Sequence, residues 1–338
     1  MTKGHLVRLA RITLAGIYLF VLAFVLPFPA AGALKTVQVG VRIHDLNEVD
    51  ELHERWDVSG TLITSWMEPK LKYRANSRFE DHRDVSANAL QIPSVGFANA
   101  IDIPTFHRVD LFVRPNGRAF KVDNFRALLS THLNLRHFPF DTENLPLIVV
   151  PLGHDVDHIM LIPDVAQSQL MDASYSGLSQ WRFLGLAIHP YTESYFGNAE
   201  NGVKFDLQVQ RNSQSYVWKF IIPLCLIVVI SWISFWLAPA EFKSKDLLGT
   251  AVTTLLIVVA FTLSITALLP RTSYLTYIDV FLLTCFLFVI AAIASTVGIN
   301  ALELKGKHER ALALRRTAGA VLPLTFILVQ IAVFIFYQ

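Results

Sequence analysis

Four long apolar segments occupy the C-terminal part of this 338-residue sequence and limit the folds that it can adopt. Each is long enough to cross about 30 Å of hydrocarbon as a helix. They cover residues 218–237, 247–269, 277–299 and 318–337. Residues 34–215 have instead the mixed composition of a water-exposed domain, although 53% of the whole chain is hydrophobic. The sequence therefore predicts two domains, a water-exposed one at 34–215 and a four-helix membrane domain at 216–338.

Basic residues between the apolar segments predict the direction in which the chain crosses the membrane. Lysine and arginine are enriched in cytoplasmic loops. The second connection contains only Arg271. The first and third connections carry Lys243, Lys245, Lys305, Lys307, Arg310, Arg315 and Arg316. These two connections are therefore predicted to be cytoplasmic, which places residues 34–215 and the C-terminus outside.

The N-terminus has the features of a secretory signal peptide. Three basic residues precede an apolar run at 12–25, and Ala31-Gly32-Ala33 follows. We expect cleavage after Ala33, so that residues 1–33 are removed. An uncleaved membrane anchor is the alternative. A signal peptide would export residues 34–215, which agrees with the distribution of basic residues. We therefore predict a multi-pass protein of the inner (cell) membrane with a periplasmic or extracellular domain.

Alternating apolar and polar residues in the exported region predict an all-β, immunoglobulin-like sandwich. The alternation is clear at residues 37–43, 57–66 and 205–210, and short runs of this kind separated by turns are typical of such a sandwich. Asn116-Gly117 between two apolar runs predicts a β-hairpin. Both cysteines lie in apolar segments, so the sandwich is predicted to hold together without a disulfide.

Charge and motif content argue against two other classes of protein. A net charge of +2 provides no concentrated basic surface for a nucleic acid. His154, Asp155, Asp157 and His158 have the residue types of a metal site in a membrane-tethered enzyme. Adjacent ligands on one short loop rarely complete a tetrahedron, and no nucleophile motif supports catalysis. We predict no enzyme and no cofactor, with a weakly bound divalent cation as the alternative for this loop.

The segment Phe138-Pro139-Phe140-Asp141 resembles the signature loop of the Cys-loop receptor superfamily. In eukaryotic members two cysteines close this loop, whereas Thr131 and Leu145 stand at the corresponding positions here. This departure is similar to the bacterial pentameric channels, which lack the bridge. Further similar segments follow in the family's order at Trp66, Ile92-Pro93, Trp181 and residues 218–224, 230–236 and 269–274. The resemblance implies a homopentamer, in which each chain joins four identical subunits to form a ligand-gated ion channel in the lipid bilayer.

The second apolar segment carries residues spaced three and four apart, which places them on one face of a helix. This stripe consists of Asp246, Gly249, Thr253, Leu256, Ala260, Leu263 and Ala267. The resemblance assigns the stripe to the pore. Rings of Asp246 would attract monovalent cations, and rings of Leu256 or Leu263 would close the pore by excluding water. Ordinary helix packing of Leu256 and neutralisation of Asp246 by a neighbouring lysine are the alternatives.

The resemblance places the agonist site between subunits, under a hairpin at residues 188–203. Tyr191, Tyr195 and Phe196 in this hairpin are candidates to contact a ligand through their rings. The other expected positions hold Thr61, Gln91 and Leu152, which are not aromatic. A quaternary ammonium agonist is therefore not expected.

The resemblance also implies where ligand binding acts on the pore. Phe138, Pro139, Phe140 and Asp141, together with the sheet edge at 57–66, are expected to rest on the loop that contains Pro270 and Arg271. An ion pair between Arg271 and either Asp141 or Glu143 is expected at this contact.

Protons are a second candidate ligand beside small molecules. Nine of the eleven histidines lie in the exported domain, and histidine titrates near environmental pH. A non-conducting ligand sensor, with a second helix packed without water, is the alternative function.

Overall fold

The computed structural model describes residues 34–75, 81–153, 159–170, 180–195, 198–236, 244–266 and 272–337. Within these ranges two β-sheets extend from residue 35 to residue 211, and helices follow from residue 214. The predicted signal peptide at 1–33 and the histidine and aspartate residues at 154–158 lie outside the described residues.

The described strands range from two to sixteen residues in length, and they include the segments in which alternating residues predicted strands. In the described part of the domain they are β1 (Lys35–Asp50), β2 (Arg55–Met67), β3 (Arg83–Asp84), β4 (Val95–Phe97), β5 (Thr105–Val113), β6 (Arg118–Ser130), β7 (Thr142–Pro151), β8 (Ile159–Pro163), β9 (Gln169–Leu170), β10 (Trp181–Tyr195) and β11 (Asn198–Arg211).

The larger sheet has the order β3-β5-β6-β2-β1-β8, with β9 also paired to β1. β2 is antiparallel to β1 on one side and to β6 on the other, whereas β8 and β9 run parallel to β1. The prediction that residues 57–66 form a sheet edge is therefore wrong, because both sides of β2 are already hydrogen-bonded. The turn at 51–54 connects β2 to β1.

The predicted hairpin at Asn116-Gly117 is confirmed, since β5 pairs with β6 across it. Gly117 has a φ of 83°, a left-handed conformation that glycine adopts without strain. Asn116 closes the turn, because its side-chain oxygen accepts the Arg118 N–H at 3.0 Å.

The smaller sheet has the order β10-β11-β7-β4. β10 and β11 form one long hairpin, paired from Trp181 and Arg211 at its base to Tyr195 and Asn198 near its tip. The first membrane helix begins three residues after Arg211. The hairpin therefore spans the sheet from the predicted ligand-binding end to the membrane end.

Side chains that face inward from both sheets form the core of the sandwich. Trp56 and Trp66 of β2 are each 1% exposed. Phe125 of β6 contacts Phe97 of β4, with 4.8 Å between the ring centres, and this contact bridges the two sheets. Burying a side chain of this size contributes about 1.5–3 kcal/mol. Apolar packing of this kind holds the sheets together.

The membrane region is helical. Its described helices are α1 (Gln214–Ser231), α2 (Ile233–Trp236), α3 (Ser244–Thr266), α4 (Tyr277–Leu304) and α5 (His308–Phe336). Of these described helices, α1, α4 and α5 are long and apolar enough to cross a membrane, whereas the apolar part of α3 covers only Val252–Ser264. Crossing of the membrane by α3 stays a prediction.

The helix α1 is distorted around Pro223. Its residues Val217–Ile221 form a π-helical turn, and regular α-helix resumes at Ile222. Proline has no N–H to donate to the carbonyl four residues earlier, so the hydrogen-bonding pattern before it rearranges. The distortion lies just after the chain leaves the sandwich, where motion of β11 would reach the helix.

Candidate functional site

The helix α3 has a buried side and an exposed side within the chain. It contacts α1 and α4, and its residues Thr254 and Val258 are 4% and 0% exposed. The described side chains of the predicted stripe are all exposed: Gly249, Thr253, Leu256, Ala260 and Leu263. At 3.6 residues per turn this stripe lies on the side opposite to the buried pair. The stripe is therefore not packed against its own chain.

Thr253 presents an oxygen acceptor on the exposed side. Its hydroxyl donates to the carbonyl oxygen of Gly249 at 2.9 Å. Because this bond uses the single hydroxyl hydrogen, the oxygen lone pairs remain to accept, and such an oxygen can replace part of the hydration shell of a cation. A Cβ built on Gly249 has no heavy atom within 4 Å, so this side of the helix is open.

The ends of the stripe are less fully defined. Asp246 lies in the first turn of α3, but its side chain is outside the described part of the structure, and so is Ala267. Leu263 borders a cavity of about 290 Å³ between α3 and α4, where Thr262 and Asp279 are the polar lining residues. Leu263 and Leu256 are similarly exposed, at 66% and 64%. Leu263 borders this cavity as well as the open side of the helix, whereas Leu256 is not among the residues that line the cavity.

Arg211 is the centre of the junction between the sandwich and the helices. Its side chain is 0% exposed. Its Nε and Nη2 donate to the Asp141 carboxylate at 2.9 and 3.1 Å, and its Nη1 donates to Glu51 at 2.6 Å. One guanidinium thus joins the signature loop, the turn after β1 and the end of β11.

The charge of Arg211 is stabilised by these two carboxylates. Burial alone would lower its pKa, but the hydrogen bonds and charges of Asp141 and Glu51 raise the pKa above its ordinary value. Arg211 therefore carries its charge at every pH at which the protein folds.

Aromatic rings surround the Arg211 guanidinium. The ring centres of Trp181, Phe138 and Tyr216 lie 4.2, 4.9 and 5.8 Å from its central carbon. A planar guanidinium can stack on such rings and still make paired bonds to a carboxylate, which a lysine ammonium cannot do. The geometry therefore requires arginine at this position.

The sequence analysis predicted an ion pair between Arg271 and either Asp141 or Glu143. In the structure the carboxylate of Asp141 is held by Arg211, and Glu143 accepts a hydrogen bond from the backbone of Asn134. Arg271 and Pro270 lie outside the described residues. No pattern in the sequence indicated a role for Arg211, which is a single charge between a strand and an apolar segment.

The signature loop contacts the segment that precedes α4. The Leu135 N–H donates to the hydroxyl oxygen of Tyr274 at 3.1 Å, and the guanidinium of Arg136 lies 5.6 Å from the centre of that ring. This segment is fixed to α4, because Thr276 and Asp279 form a reciprocal capping box at the helix start. A displacement of the signature loop would therefore act directly on the connection between α3 and α4.

The same loop also rests on the outer ends of α4 and α5. Phe140 contacts the edges of Tyr277 and Phe334, at 5.4 and 5.8 Å between ring centres. His137 Nδ1 donates to the carbonyl oxygen of Tyr337, so the ring carries a hydrogen on Nδ1. Phe138 and Pro139 are buried. The predicted coupling residues 138–141 thus lie between the sandwich and the helices.

Thr61, predicted as a ligand contact, belongs to a hydrogen-bonded row across three strands of the larger sheet. Its hydroxyl donates to Asn124 Oδ1 at 2.7 Å and lies 2.9 Å from His44 Nε2. Because the single hydroxyl hydrogen is used toward Asn124, His44 must donate through Nε2. Polar groups therefore stand where the resemblance would place an aromatic ring.

Leu152 and Tyr191, two of the other described ligand candidates, lie beside or in the smaller sheet, whereas the third, Gln91, contacts the larger sheet. The Leu152 N–H donates to the carbonyl oxygen of Ser94 at 2.9 Å, and the carbonyl oxygen of Gln91 accepts from Lys35 Nζ of β1 at 3.2 Å. Tyr191 pairs across the hairpin with Gly202. Within one chain, therefore, Leu152 and Tyr191 are on the side of the smaller sheet, away from the strand of Thr61. The side chain of Tyr195 and the whole of Phe196 lie outside the described residues.

Two family models match the chain in succession. The neurotransmitter-gated ion-channel ligand binding domain matches residues 23–213, and the neurotransmitter-gated ion-channel transmembrane region matches residues 220–329. The chain belongs to the neurotransmitter-gated ion-channel family. This family consists of ligand-gated channels, not enzymes, and the chain is a multi-pass membrane protein with an extracellular N-terminal ligand-binding domain.

Individual relatives in this ion-channel family differ in what they respond to. The chain is 25% identical to a proton-gated ion channel of Gloeobacter violaceus, over 92% of the chain and 86% of the relative. It is 26% identical to a glutamate-gated chloride channel of Drosophila melanogaster and 23% identical to a gamma-aminobutyric acid receptor subunit beta-like protein of the same organism. These matches cover 81% and 78% of the chain, but only 60% and 56% of the two relatives.

Proposed function

We propose that five identical chains assemble around a water-filled pore lined by α3, and that a ligand bound to the outer domain opens this pore to monovalent cations. The exposed stripe on α3, opposite to its buried side, carries the proposal. A helix that leaves one face open within its own chain has that face available either to water or to neighbouring subunits. A non-conducting ligand sensor would instead keep this face dry.

Opening and closing of the pore are assigned to Leu256. Five leucine side chains at one level form an apolar ring, and a narrow apolar ring excludes water and therefore ions. One turn closer to the cytoplasm, five Thr253 oxygens would offer acceptors to a passing cation. A small outward movement of α3 would widen the leucine ring and let water enter.

Cation selectivity is assigned to Asp246, at the start of α3. A ring of five carboxylates concentrates cations and repels anions, unless neighbouring lysines neutralise it. Some relatives are chloride channels or gamma-aminobutyric acid receptors, so anion selectivity is the competing outcome. The reversal potential of the unmodified channel in an ion gradient distinguishes cation selectivity from anion selectivity. In Asp246→Asn the reversal potential should move toward zero.

Protons or a small ligand with hydrogen-bonding groups are proposed as the agonist. The row His44–Thr61–Asn124 offers polar contacts, and an aromatic cage for a quaternary ammonium has few candidates here. The similarity to the proton-gated ion channel of Gloeobacter violaceus supports protons as the agonist. Currents recorded from purified protein in lipid bilayers, across small amines, carboxylates and pH values, test this choice.

The signal would pass along the β10–β11 hairpin to Arg211, and from there to the signature loop and α1. Arg211 contacts the signature loop through Asp141 and is followed directly by the distorted part of α1. This gives the outer domain two points of action, one on the segment before α4 and one on the first membrane helix.

Cysteine accessibility tests the pore assignment. Thr253→Cys and Leu256→Cys should react with a charged thiol reagent applied with the agonist, and the reaction should block the current. Val258→Cys, on the buried side of the same helix, is the matched control and should not react. The native Cys225 and Cys285 are present in all variants, so the unmodified chain supplies the baseline. Unreactive cysteines at both 253 and 256 would support the non-conducting sensor.

A further inference from the structure

Glu143 is a buried carboxyl group at the membrane end of the sandwich with only one of its oxygens bonded. It lies on β7 and is 3% exposed. Its Oε2 accepts the N–H of Asn134 at 3.1 Å. Its Oε1 is buried and has no hydrogen-bond partner among the described residues. An ionised carboxylate in this position would leave a charged oxygen without compensation.

The charge of Asp141 also opposes the ionisation of Glu143, whereas the charge of Arg211 favours it. Asp141, two residues earlier and just before β7, is 1% exposed and pairs with Arg211. On β11 the guanidinium of Arg211 is committed to Asp141, and to Glu51 of the turn after β1. The Arg136 guanidinium and the His137 ring of the signature loop contact Tyr274 and Tyr337 instead. Among the described residues, with all carboxyls ionised, the Arg211 cation would face the three anions of Asp141, Glu51 and Glu143.

The protonation equilibrium of Glu143 follows from this setting. Burial raises its pKa from 4.5 to about 7, helped by the charge of Asp141 and opposed by the Asn134 hydrogen bond and by Arg211. The group therefore changes charge within the range of pH that an exported domain meets.

We propose that Glu143 is a proton-binding site whose occupancy controls the position of the signature loop. The loop is its direct neighbour, because Asn134 donates to Glu143 and also caps the turn Leu135–His137. Leu135 in that turn bonds to Tyr274 before α4. The effect on ion current rests on the proposed channel function, whereas proton binding itself does not.

The raised pKa of Glu143 determines whether the described arrangement becomes more or less stable as pH rises. The described arrangement suits the neutral acid, so a bound proton stabilises it. As pH rises from about 4.5 through 7, this stabilisation is lost and the carboxylate gains by reaching water or a cation. High pH should therefore favour a loop position different from the described one.

Thermal melting of the full-length purified protein tests proton binding without any current. The melting temperature of the unmodified protein should fall by roughly 5 °C between pH 5.5 and pH 8.5 because of this group. Glu143→Gln keeps the shape and removes the titration, so its curve should be flatter. Glu48→Gln removes an exposed glutamate of β1 and should follow the unmodified curve. Parallel curves for Glu143→Gln and the unmodified protein would overturn the proposal.

Infrared spectra of the unmodified protein keep the proposal testable if Glu143→Gln does not fold. A buried protonated carboxyl gives a C=O band that should disappear with a midpoint near pH 7. Absence of such a band at pH 6 would overturn the proposal.

In lipid bilayers, the pH dependence of the current between pH 6 and 8 should shrink by at least half in Glu143→Gln. Full pH dependence in this variant would refute the link to the loop. If the unmodified protein carries no current at any pH or with any ligand, the channel proposal fails while the melting result still stands.

Discussion

Arg211 and Asp141 form a buried ion pair with two parallel hydrogen bonds at the point where the last strand leads into the first membrane helix. The bonds measure 2.9 and 3.1 Å, and the two side chains are 0% and 1% exposed. Asp141 ends the signature loop, and Arg211 ends β11. The pair therefore ties the loop that contacts the membrane helices to the strand that continues into one of them.

Arg211→Lys should destabilise the protein and weaken gating. A lysine keeps the charge but cannot make paired bonds to Asp141 or stack on Trp181. Full removal in Arg211→Ala should be worse, at about 3–5 kcal/mol, since it leaves buried carboxylates without a partner. Melting of the purified protein measures both variants. Arg126→Lys is the control, because Arg126 also binds a carboxylate, that of Asp57, but is exposed. Equal effects at 126 and 211 would contradict the importance of burial.

Asp123→Asn should make stability less dependent on pH. Asp123 is 1% exposed in β6, with Lys121 Nζ at 2.7 Å. Burial raises its pKa, and the Lys121 bond and charge only partly oppose this. The neutral acid is thus favoured in the fold, and stability is lost as pH rises above the ordinary value of 3.8. Melting between pH 4 and 7 should show a smaller loss in the variant. A melting temperature at pH 7 well below that of the unmodified protein would instead mean that the ion pair is stabilising.

Local patterns in the sequence predicted the strands and their hairpins well. The β5–β6 turn follows from Asn116-Gly117, because these residues adopt the required backbone conformations themselves. The helices α1, α4 and α5 likewise follow from local hydropathy and length. The sheet edge predicted at 57–66 failed, since strand order depends on which strands meet in space, and no short segment records that.

The junction could be predicted only in outline. The resemblance located the signature loop, but the partner of Asp141 is 70 residues away in the sequence. Nothing near Arg211 distinguishes it from an ordinary charge at a domain boundary. The environment of the Glu143 carboxyl group could not be predicted from the sequence either. Its burial and its single hydrogen bond depend on the pairing of β7 with β11 and on the contact with the signature loop.

Phe334→Ala should reduce gating more than Phe336→Ala. Phe334 lies against Phe140 of the signature loop and against Tyr277 of α4, at 5.8 and 6.2 Å between ring centres. Phe336 is 82% exposed and is a matched control two residues away. The agonist concentration or pH needed for half-maximal current should shift several-fold in Phe334→Ala, and little in Phe336→Ala. Similar shifts in both variants would mean that the end of α5 acts through the membrane and not through the loop.

Leu256→Thr should let ions pass in the absence of an agonist. The closed pore is proposed to be dry because a ring of leucines offers water no hydrogen bonds, and a threonine hydroxyl at the same level gives water a partner. The variant should therefore carry resting current and need less agonist for half-maximal opening. Val258→Thr introduces the same side chain two residues away on the buried side of α3, where a hydroxyl lacks water. It should lower the melting temperature without adding resting current. If Leu256→Thr stays silent at rest and Val258→Thr leaks, the pore-facing side of α3 has been misassigned.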